Sequence, residues 1–372
     1  MASFTVTPWE VKGKVDYEKL IKEFGTIPLS DELIDKLSKH AGGKHMFLRR
    51  KLFFSHRDFD NILKWYESGK EFALYTGRGP SGETHLGHLV PWIFTRYLQE
   101  TFNAELYFQL TDDEKYMYSP KLSLEETKNY AYENMLDIIA LGFDPKKTFI
   151  FLDTEYSKTL YNIAIQVAKK TTFSTVKAVF GFTNETNTGM IFFPAMQTAP
   201  CFLPTVLKGK EIPTLIPAAI DQDPYWRGIA REVARKLNYP KPAQIHCMFL
   251  PGLAEGGKMS ASQPDSAIFT TDSPETVTRK VSRAFTGGAP SVEEQKKNGG
   301  NPDICPIHKY YYYLFEEDDK AVEELYYNCK KGKLMCKDCK AELAVRINKF
   351  LAKHQKEREK AKKKIKDFLL RD

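Results

Sequence analysis

From Phe72 to about residue 272, short apolar runs alternate with longer stretches of helical period. That alternation commits the chain to a parallel α/β sheet. Parallel strands must be joined by long crossovers, and helices supply them. Phe72–Thr76 (FALYT), Leu106–Thr111 (LYFQLT) and Thr148–Leu152 (TFIFL) read as buried strands. Thr214–Ile220 (TLIPAAI) reads as a fourth, although Pro217 suits a strand end better than its centre. Between them, Leu86, Leu89, Val90, Ile93, Phe94, Tyr97 and Leu98 fall at helical spacing. Pro91 then requires that helix to start near residues 86–88. Leu124–Leu141 is expected to be a helix stopped at Gly142. Asp223-Pro224 opens another, as an N-cap followed by proline, with Tyr225, Ile229, Val233 and Leu237 on its core face. Residues 156–211 carry no decisive pattern.

The flanks differ. Residues 14–70 read as helical, with apolar sets at Tyr17, Leu20, Ile21 and Phe24, then Leu33, Ile34 and Leu37. Ser30 or Asp31 is the N-cap candidate after a break at Gly25 and Pro28. Beyond residue 275 the strand signals vanish. Residues 307–372 read as all-helical, and Gly287–Pro306 as a loop. The expected organisation is an N-terminal extension over 1–70, a Rossmann-like parallel-sheet catalytic domain over 71–275, and an all-α domain over 276–372.

Composition narrows the class. A chain of 372 residues with 42% hydrophobic and 28% charged residues can bury an ordinary core. No apolar run approaches the roughly 18 residues of a membrane span. The first residues, MASFTVTPWEVKGK, show no apolar signal core, and six scattered Cys make no disulfide framework. A cytoplasmic location is expected. The net charge of +7 is unevenly spread. Residues 328–372 hold 16 Lys and Arg against 6 Asp and Glu, and the rest of the chain 39 against 42. A basic end can meet RNA through phosphate contacts, or it can be a solvated helix face.

Ligands of an open parallel sheet sit beyond the C-terminal strand ends. Polar clusters gather at those ends here. Tyr75-Thr76-Gly77-Arg78-Gly79 leads through a loop to His85-Leu86-Gly87-His88. Glycines there let a backbone approach a ligand, and the helix start offers free N–H groups to phosphate. The two histidines could equally pair on a metal, but no further ligands accompany them. Gln109, Thr111, Asp112, Asp113, Glu114 and Lys115 follow the second strand, and Asp221-Gln222-Asp223 the fourth. Lys258-Met259-Ser260-Ala261-Ser262, preceded by Gly256-Gly257, suits a mobile clamp on phosphates. Cys336-Lys337-Asp338-Cys339 with Cys329 nearby raises zinc, but without a second clear pair no protein-held metal is expected.

His85–His88 and Lys258–Ser262 resemble the two nucleotide-binding motifs of class I aminoacyl-tRNA synthetases. YTGRGPSGETHLGHLVP, QLTDDEKY, FFPAMQTAP, AIDQDPYWR and KMSASQPDSAIF look like the tryptophanyl-tRNA synthetases of the eukaryotic cytoplasmic and archaeal branch, and the likeness covers nearly the whole chain. Ala261 departs from the family-wide second lysine, as this branch commonly does, so Lys115 or Arg78 is expected to compensate. The resemblance implies activation of L-tryptophan with ATP and Mg²⁺, transfer to tRNA, and a homodimer formed after the second strand. It implies His85, His88, Lys258, Ser260 and Lys115 as catalytic residues. It places Tyr75, Gln109, Thr111, Glu114, Gln197 and Gln222 around tryptophan, and Arg78, Gly79, Gly87, Met259 and Ser262 around ATP. The rivals are a tyrosyl-tRNA synthetase, against which AIDQDPYWR and FFPAMQTAP argue, and an inactive tRNA-binding relative, against which the intact histidines and Lys258 argue. A small-molecule adenylyltransferase would have no use for the basic helical end.

Overall fold

The computed structural model describes residues 5–6, 11–12, 15–260 and 263–372. Seven strands make the main sheet: β1 (Ile27–Pro28), β2 (Phe53–Arg57), β3 (Ala73–Arg78), β4 (Glu105–Leu110), β5 (Thr148–Leu152), β6 (Thr214–Ala219) and β7 (Ala243–Cys247). Their spatial order is β1-β2-β7-β6-β3-β4-β5. β3 to β7 run parallel, and β2 and β1 extend the β7 edge antiparallel. Helix α1 (Leu86–Phe102) links β3 to β4, α2 (Leu124–Ala140) lies between β4 and β5, and α3 (Ser157–Lys169) follows β5. From β3 the chain builds outward through β4 and β5. It then returns to the other side of β3 for β6 and β7. The reversal point lies between β3 and β6, where such sheets open a crevice.

Both faces of the sheet are covered, which is why its strands read as continuous apolar runs. Side chains alternate by face. Leu74, Leu106, Phe108, Leu110 and Ile150 join one core with α1 and α2. Ala73, Tyr75, Tyr107, Phe151 and Ile216 join the other with α3. Each buried Leu, Ile or Phe among these contributes about 1.5–3 kcal/mol. Pro217 sits inside β6, opposite Ile245, rather than at its end. The ladder between β3 and β6 consists of Ala73–Thr214 and Leu74–Leu215 and stops before it.

Several expectations held. Ser30 caps the helix Asp31–Ala41 by accepting from the Leu33 N–H at 3.2 Å, and Leu33, Ile34 and Leu37 are buried. α1 starts at Leu86, so Pro91 falls early in the helix. Gly142 follows α2 with φ +85°, a left-handed conformation that suits glycine.

Other expectations are corrected. Residues 14–70 are not wholly helical, because β1 and β2 lie within them. β7 was not expected either. Both β2 (FFSHR) and β7 (AQIHC) carry polar side chains inside the sheet. Ser55 Oγ stands 3.0 Å from His246 Nδ1, and His246 Nε2 lies 3.0 Å from Gln244 Oε1. Polar pairs of this kind hide a buried strand from hydrophobic pattern. The Gly287–Pro306 loop contains a helix, Val292–Asn298, capped by Ser291 through the Glu294 N–H at 3.2 Å. Residues 156–211 fold as α3 and a succession of shorter helices.

The C-terminal region beyond residue 275 is helical, with α4 (Pro274–Arg283) and the long α5 (Cys336–Ala361). α5 packs on α4 and α2, so Leu343, Ile347 and Leu351 share the core of the sheet. Asp137 of α2 is 1% exposed and accepts from His354 at 2.9 Å and from Arg358. Burial alone would raise its pKa, but His354 and Arg358 hold it below the usual carboxylate range. Breaking such a buried pair from one side costs about 3–5 kcal/mol. The chain returns to the sheet edge, where the Leu370 N–H donates to Ile150 O at 2.7 Å and Asp372 accepts from the first N–H groups of α3. An exposed β5 edge is thereby covered.

Candidate active site

β3 ends at Arg78, and the following loop delivers His85 to the start of α1. The His85 N–H donates to His88 Nδ1 at 3.1 Å, and the two imidazoles stack with centroids 3.6 Å apart. A Cβ on Gly87 would stand 3.1 Å from the His85 ring, so glycine allows that ring to lie against the helix. Burial pushes His85 down to about 3 and His88 well below its ordinary value, with Arg78 and Lys258 adding repulsion. Both rings are therefore neutral at physiological pH. His85 Nδ1 is buried without a partner.

Three cations approach from separate elements. Arg78 donates to Gly79 O at 2.6 Å, while its Nε and Nη2 are buried and unpartnered. Burial lowers it to about 10, which still leaves a cation. Lys115, on the helix Asp112–Tyr118, pairs with Glu114 at 2.8 Å and passes over Gly79, where a Cβ would lie 2.0 Å from its Cε. Lys258 pairs with Asp221 at 2.7 Å. Asp221 is 2% exposed, and its other oxygen has no partner. Gly256 and Gly257, at φ +72° and +82°, reverse the chain ahead of Lys258. Met259 is buried, and its N–H donates to Leu250 O at 3.1 Å. Leu86 N to Ile268 O at 3.0 Å and Thr270 N to Thr84 O at 2.9 Å tie the segment after this loop to the start of α1. Ser260 is half-buried; Ala261 and Ser262 lie outside the described residues.

A second polar group lines the same strand ends. Tyr75 O–H donates to Gln109 Oε1 at 2.5 Å and receives Gln197 Nε2 at 3.1 Å. Thr111 Oγ1 donates to Glu114 at 2.7 Å. Gln222 is half-buried in the turn after β6 and bonds to none of these. The structure thus brings Tyr75, Gln109 and Gln197 into one bonded set, and Thr111, Glu114 and Lys115 into another.

Asp223 does not cap its helix. Its carboxylate is fully buried and receives Arg57 of β2 at 2.5 and 3.0 Å. That helix runs through a π-helical stretch, Trp226–Ala230, before Arg231–Leu237. Arg57 was missed as a contributor, and Asp221, named in its strand-end cluster, had been given no role. An Asp flanked by Ile220 and Gln222 after a strand was the available signal for Asp221; Arg57 had none. Cys305, Cys329, Cys336 and Cys339 line a small apolar cavity, and burial pushes Cys329 up to about 11 and Cys339 to about 12. Among the described residues no three His, Cys, Asp or Glu side chains are placed to share a metal ion.

A family model described as tRNA synthetases class I (W and Y) matches residues 67–352. The tryptophan–tRNA ligase of Pyrobaculum calidifontis is 53% identical over 367 residues, covering 99% of this chain and 98% of that protein. Its counterpart from Thermococcus kodakarensis is 52% identical over 371 residues, covering 99% and 94%. A tryptophanyl-tRNA synthetase from Encephalitozoon cuniculi, solved bound to tryptophan, matches with TM-score 0.87 and 36% identity over 97% of this chain and 99% of that one.

The two stacked imidazoles should show no titration between pH 5 and 8. Histidine-selective NMR checks this, with flat ring shifts for His85 and His88 expected. An inflection near 6.5 in either would contradict the burial argument.

Proposed function

We propose that this chain, which belongs to the class I tRNA synthetases (W and Y), joins L-tryptophan to its cognate tRNA using ATP. The orphaned polar atoms at the β3–β6 reversal point support this reading most directly: Arg78 Nε and Nη2, His85 Nδ1 and Asp221 Oδ1. Buried groups without partners cost free energy unless a ligand satisfies them.

The reaction has two steps. A tryptophan carboxylate oxygen bonds to the α-phosphorus of ATP as the bond to the β-phosphate oxygen breaks, giving tryptophanyl-adenylate and pyrophosphate. The terminal ribose hydroxyl of the tRNA then attacks the carbonyl carbon, and AMP leaves. The attacking carboxylate is already ionised, so no enzyme nucleophile is required. Alignment and charge stabilisation at phosphorus carry the rate. Being neutral, His85 and His88 give hydrogen bonds rather than charge to the phosphates. Lys258 and Ser260 attend the departing pyrophosphate, and Met259 belongs to the ATP-binding group. Arg78 and Lys115 supply positive charge in place of the lysine that Ala261 replaces, and Gly79 and Gly87 keep room beside the nucleotide. Mg²⁺ arrives with ATP as its counter-ion.

Tyr75, Gln109, Thr111, Glu114, Gln197 and Gln222 surround the amino acid. The indole N–H is a donor only and needs an acceptor. A tyrosine in the same place leaves polar groups mismatched, which discriminates strongly.

The helical end, residues 276–372, receives the anticodon part of the tRNA. Not all of its cations are available. Arg358 is held by Asp137 and Glu133, Lys340 donates to Ser282 O and Ala284 O, and Arg346 pairs with Glu316. Lys353, Lys356, Lys363, Lys364 and Lys366 are exposed. A homodimer is supported by apolar side chains left on the surface after β5. Tyr161 and Ile165 lie one turn apart on α3 at 54% and 42% exposure, with Phe173 beyond. All six thiols are free, which suits the cytoplasm. Among the described residues no helix is long and apolar enough to cross a membrane.

Tryptophan-dependent exchange of pyrophosphate into ATP tests the central reading. Exchange with tryptophan and not tyrosine is expected, and Gln222→Ala should lose it while the thermal melt is kept. Exchange with tyrosine alone would overturn the assignment. Neutralising Lys362, Lys363 and Lys364 should flatten the salt dependence of tRNA binding by roughly 2 in log–log slope; an unchanged slope would remove them from the RNA surface. Sedimentation should give twice the 42.7 kDa chain mass, and Ile165→Asp should yield monomers. A wild-type monomer at micromolar concentration would end the dimer proposal.

A further inference from the structure

Behind Tyr75 and Gln109 lies a pair of carboxyl groups, one buried and one half-buried, that the chemistry above does not use. Asp153 follows β5 and is 1% exposed, and both of its oxygens stand 2.9 Å from Gln109 Nε2. Asp113, half-buried on the helix after β4, is the carboxyl group next to Asp153. It also accepts from the Glu114 N–H at 2.7 Å. Two carboxyl groups in contact inside a protein do not both ionise. Burial raises Asp113 to about 7 and Asp153 well above its ordinary value, and the negative charge of neighbouring carboxylates pushes both the same way. The pair therefore keeps one proton between them and one negative charge.

The two ends of the Gln109 amide have nearly the same shape, so only hydrogen bonding decides which end faces where. The shared proton lies between the two carboxyl groups, so Asp153 has only acceptor sites left for Gln109 and claims the NH₂ end. Gln109 Oε1 then faces Tyr75 and takes its hydroxyl proton at 2.5 Å. Gln197 main-chain O, at 3.2 Å, is a second acceptor for that same proton. Gln197 Nε2 occupies one lone pair of the Tyr75 oxygen at 3.1 Å. Tyr75 is left with no free proton; its oxygen also faces the buried Trp226 N–H, which no other group accepts, while Gln109 Oε1 takes only the Tyr75 proton and keeps a lone pair.

We propose that Asp153, backed by Asp113, is a positioning residue for substrate selection: it fixes the direction of the Gln109–Tyr75 hydrogen-bond chain so that Gln109 offers the indole N–H its acceptor oxygen rather than its NH₂. The inference rests on tryptophan being the substrate. With the amide reversed, Gln109 would point its NH₂ at Tyr75 and at the indole N–H, and the tyrosine proton would pass to Gln197 O.

The test compares L-tryptophan with its analogue in which sulfur replaces the ring N–H, in ATP–pyrophosphate exchange. Asp153→Leu should raise KM for tryptophan at least tenfold, change kcat less than threefold and leave the analogue's KM unaltered. The wild-type preference for tryptophan should thus fall about tenfold, the scale of one unpaired buried donor. Asp153→Ala, which adds no apolar bulk, provides the second arm and should show the same loss. Asp153→Asn should restore the preference to within threefold of wild type. Its carbonyl can accept from Gln109 and its NH₂ can donate to an ionised Asp113. A folded Leu or Ala variant that keeps the wild-type preference, or loses both substrates equally, overturns the inference, as does an Asn variant as poor as Leu. A wild-type protein that fails to exchange with tryptophan overturns the underlying reading of function instead.

Discussion

Strands β3 and β6 are hydrogen-bonded to one another for two residue pairs, and then they part. Pro217 lies just beyond the last pair and has no N–H to continue the ladder. Thr76 Oγ1 donates to Pro217 O at 3.3 Å, so a side chain takes over where backbone pairing stops. Meanwhile β6 stays paired with β7 through Ala219, and β3 with β4 through Arg78. The separation is therefore local. It opens one crevice at the C-terminal ends of otherwise continuous strands. Tyr75, Arg78, Asp221 and Gln222 are all within a few residues of the last shared pair. A fully zipped β3–β6 ladder would close the place where they meet.

Around that opening, charge is arranged without surplus. Lys258 and Lys115 are each held by a neighbouring carboxylate, and Asp221 and Glu114 are themselves well buried. The histidines contribute no charge because burial keeps them neutral. Arg78 alone reaches the site with two buried donors unassigned. A polyphosphate entering here meets fixed dipoles and cations already in place, the condition under which electrostatic stabilisation is largest. The same low dielectric makes the Asp113–Asp153 pair share a proton rather than ionise twice.

Much of this was legible in the sequence, for reasons that differ by element. Strands β3, β4 and β5 declared themselves because both of their faces are apolar. The start of α1 did so because His-Leu-Gly-His follows a strand and a glycine loop. β2 and β7 were hidden by Ser55, His56, Gln244 and His246; the hydrogen bonds that His246 makes with Ser55 and Gln244 become visible only when the strands are paired. Pro217 was read as a strand terminator; it ends pairing on one side of β6 and not on the other. Asp223 looked like a helix cap because its sequence position permits it, yet its partner, Arg57, comes from 166 residues away. Nothing local announces such a partner. Asp153 was invisible for the same reason.

The helical end shares its apolar core with the sheet and is riveted to α2 through Asp137, His354 and Arg358. A hinge needs a thin, solvated seam between its halves; this seam is thick, dry and ionically pinned. The distance from the exposed lysines near the end of α5 to the crevice is thus a fixed span, a gauge built into the molecule. An RNA gripped at one end of that gauge must bring its own suppleness to reach the other.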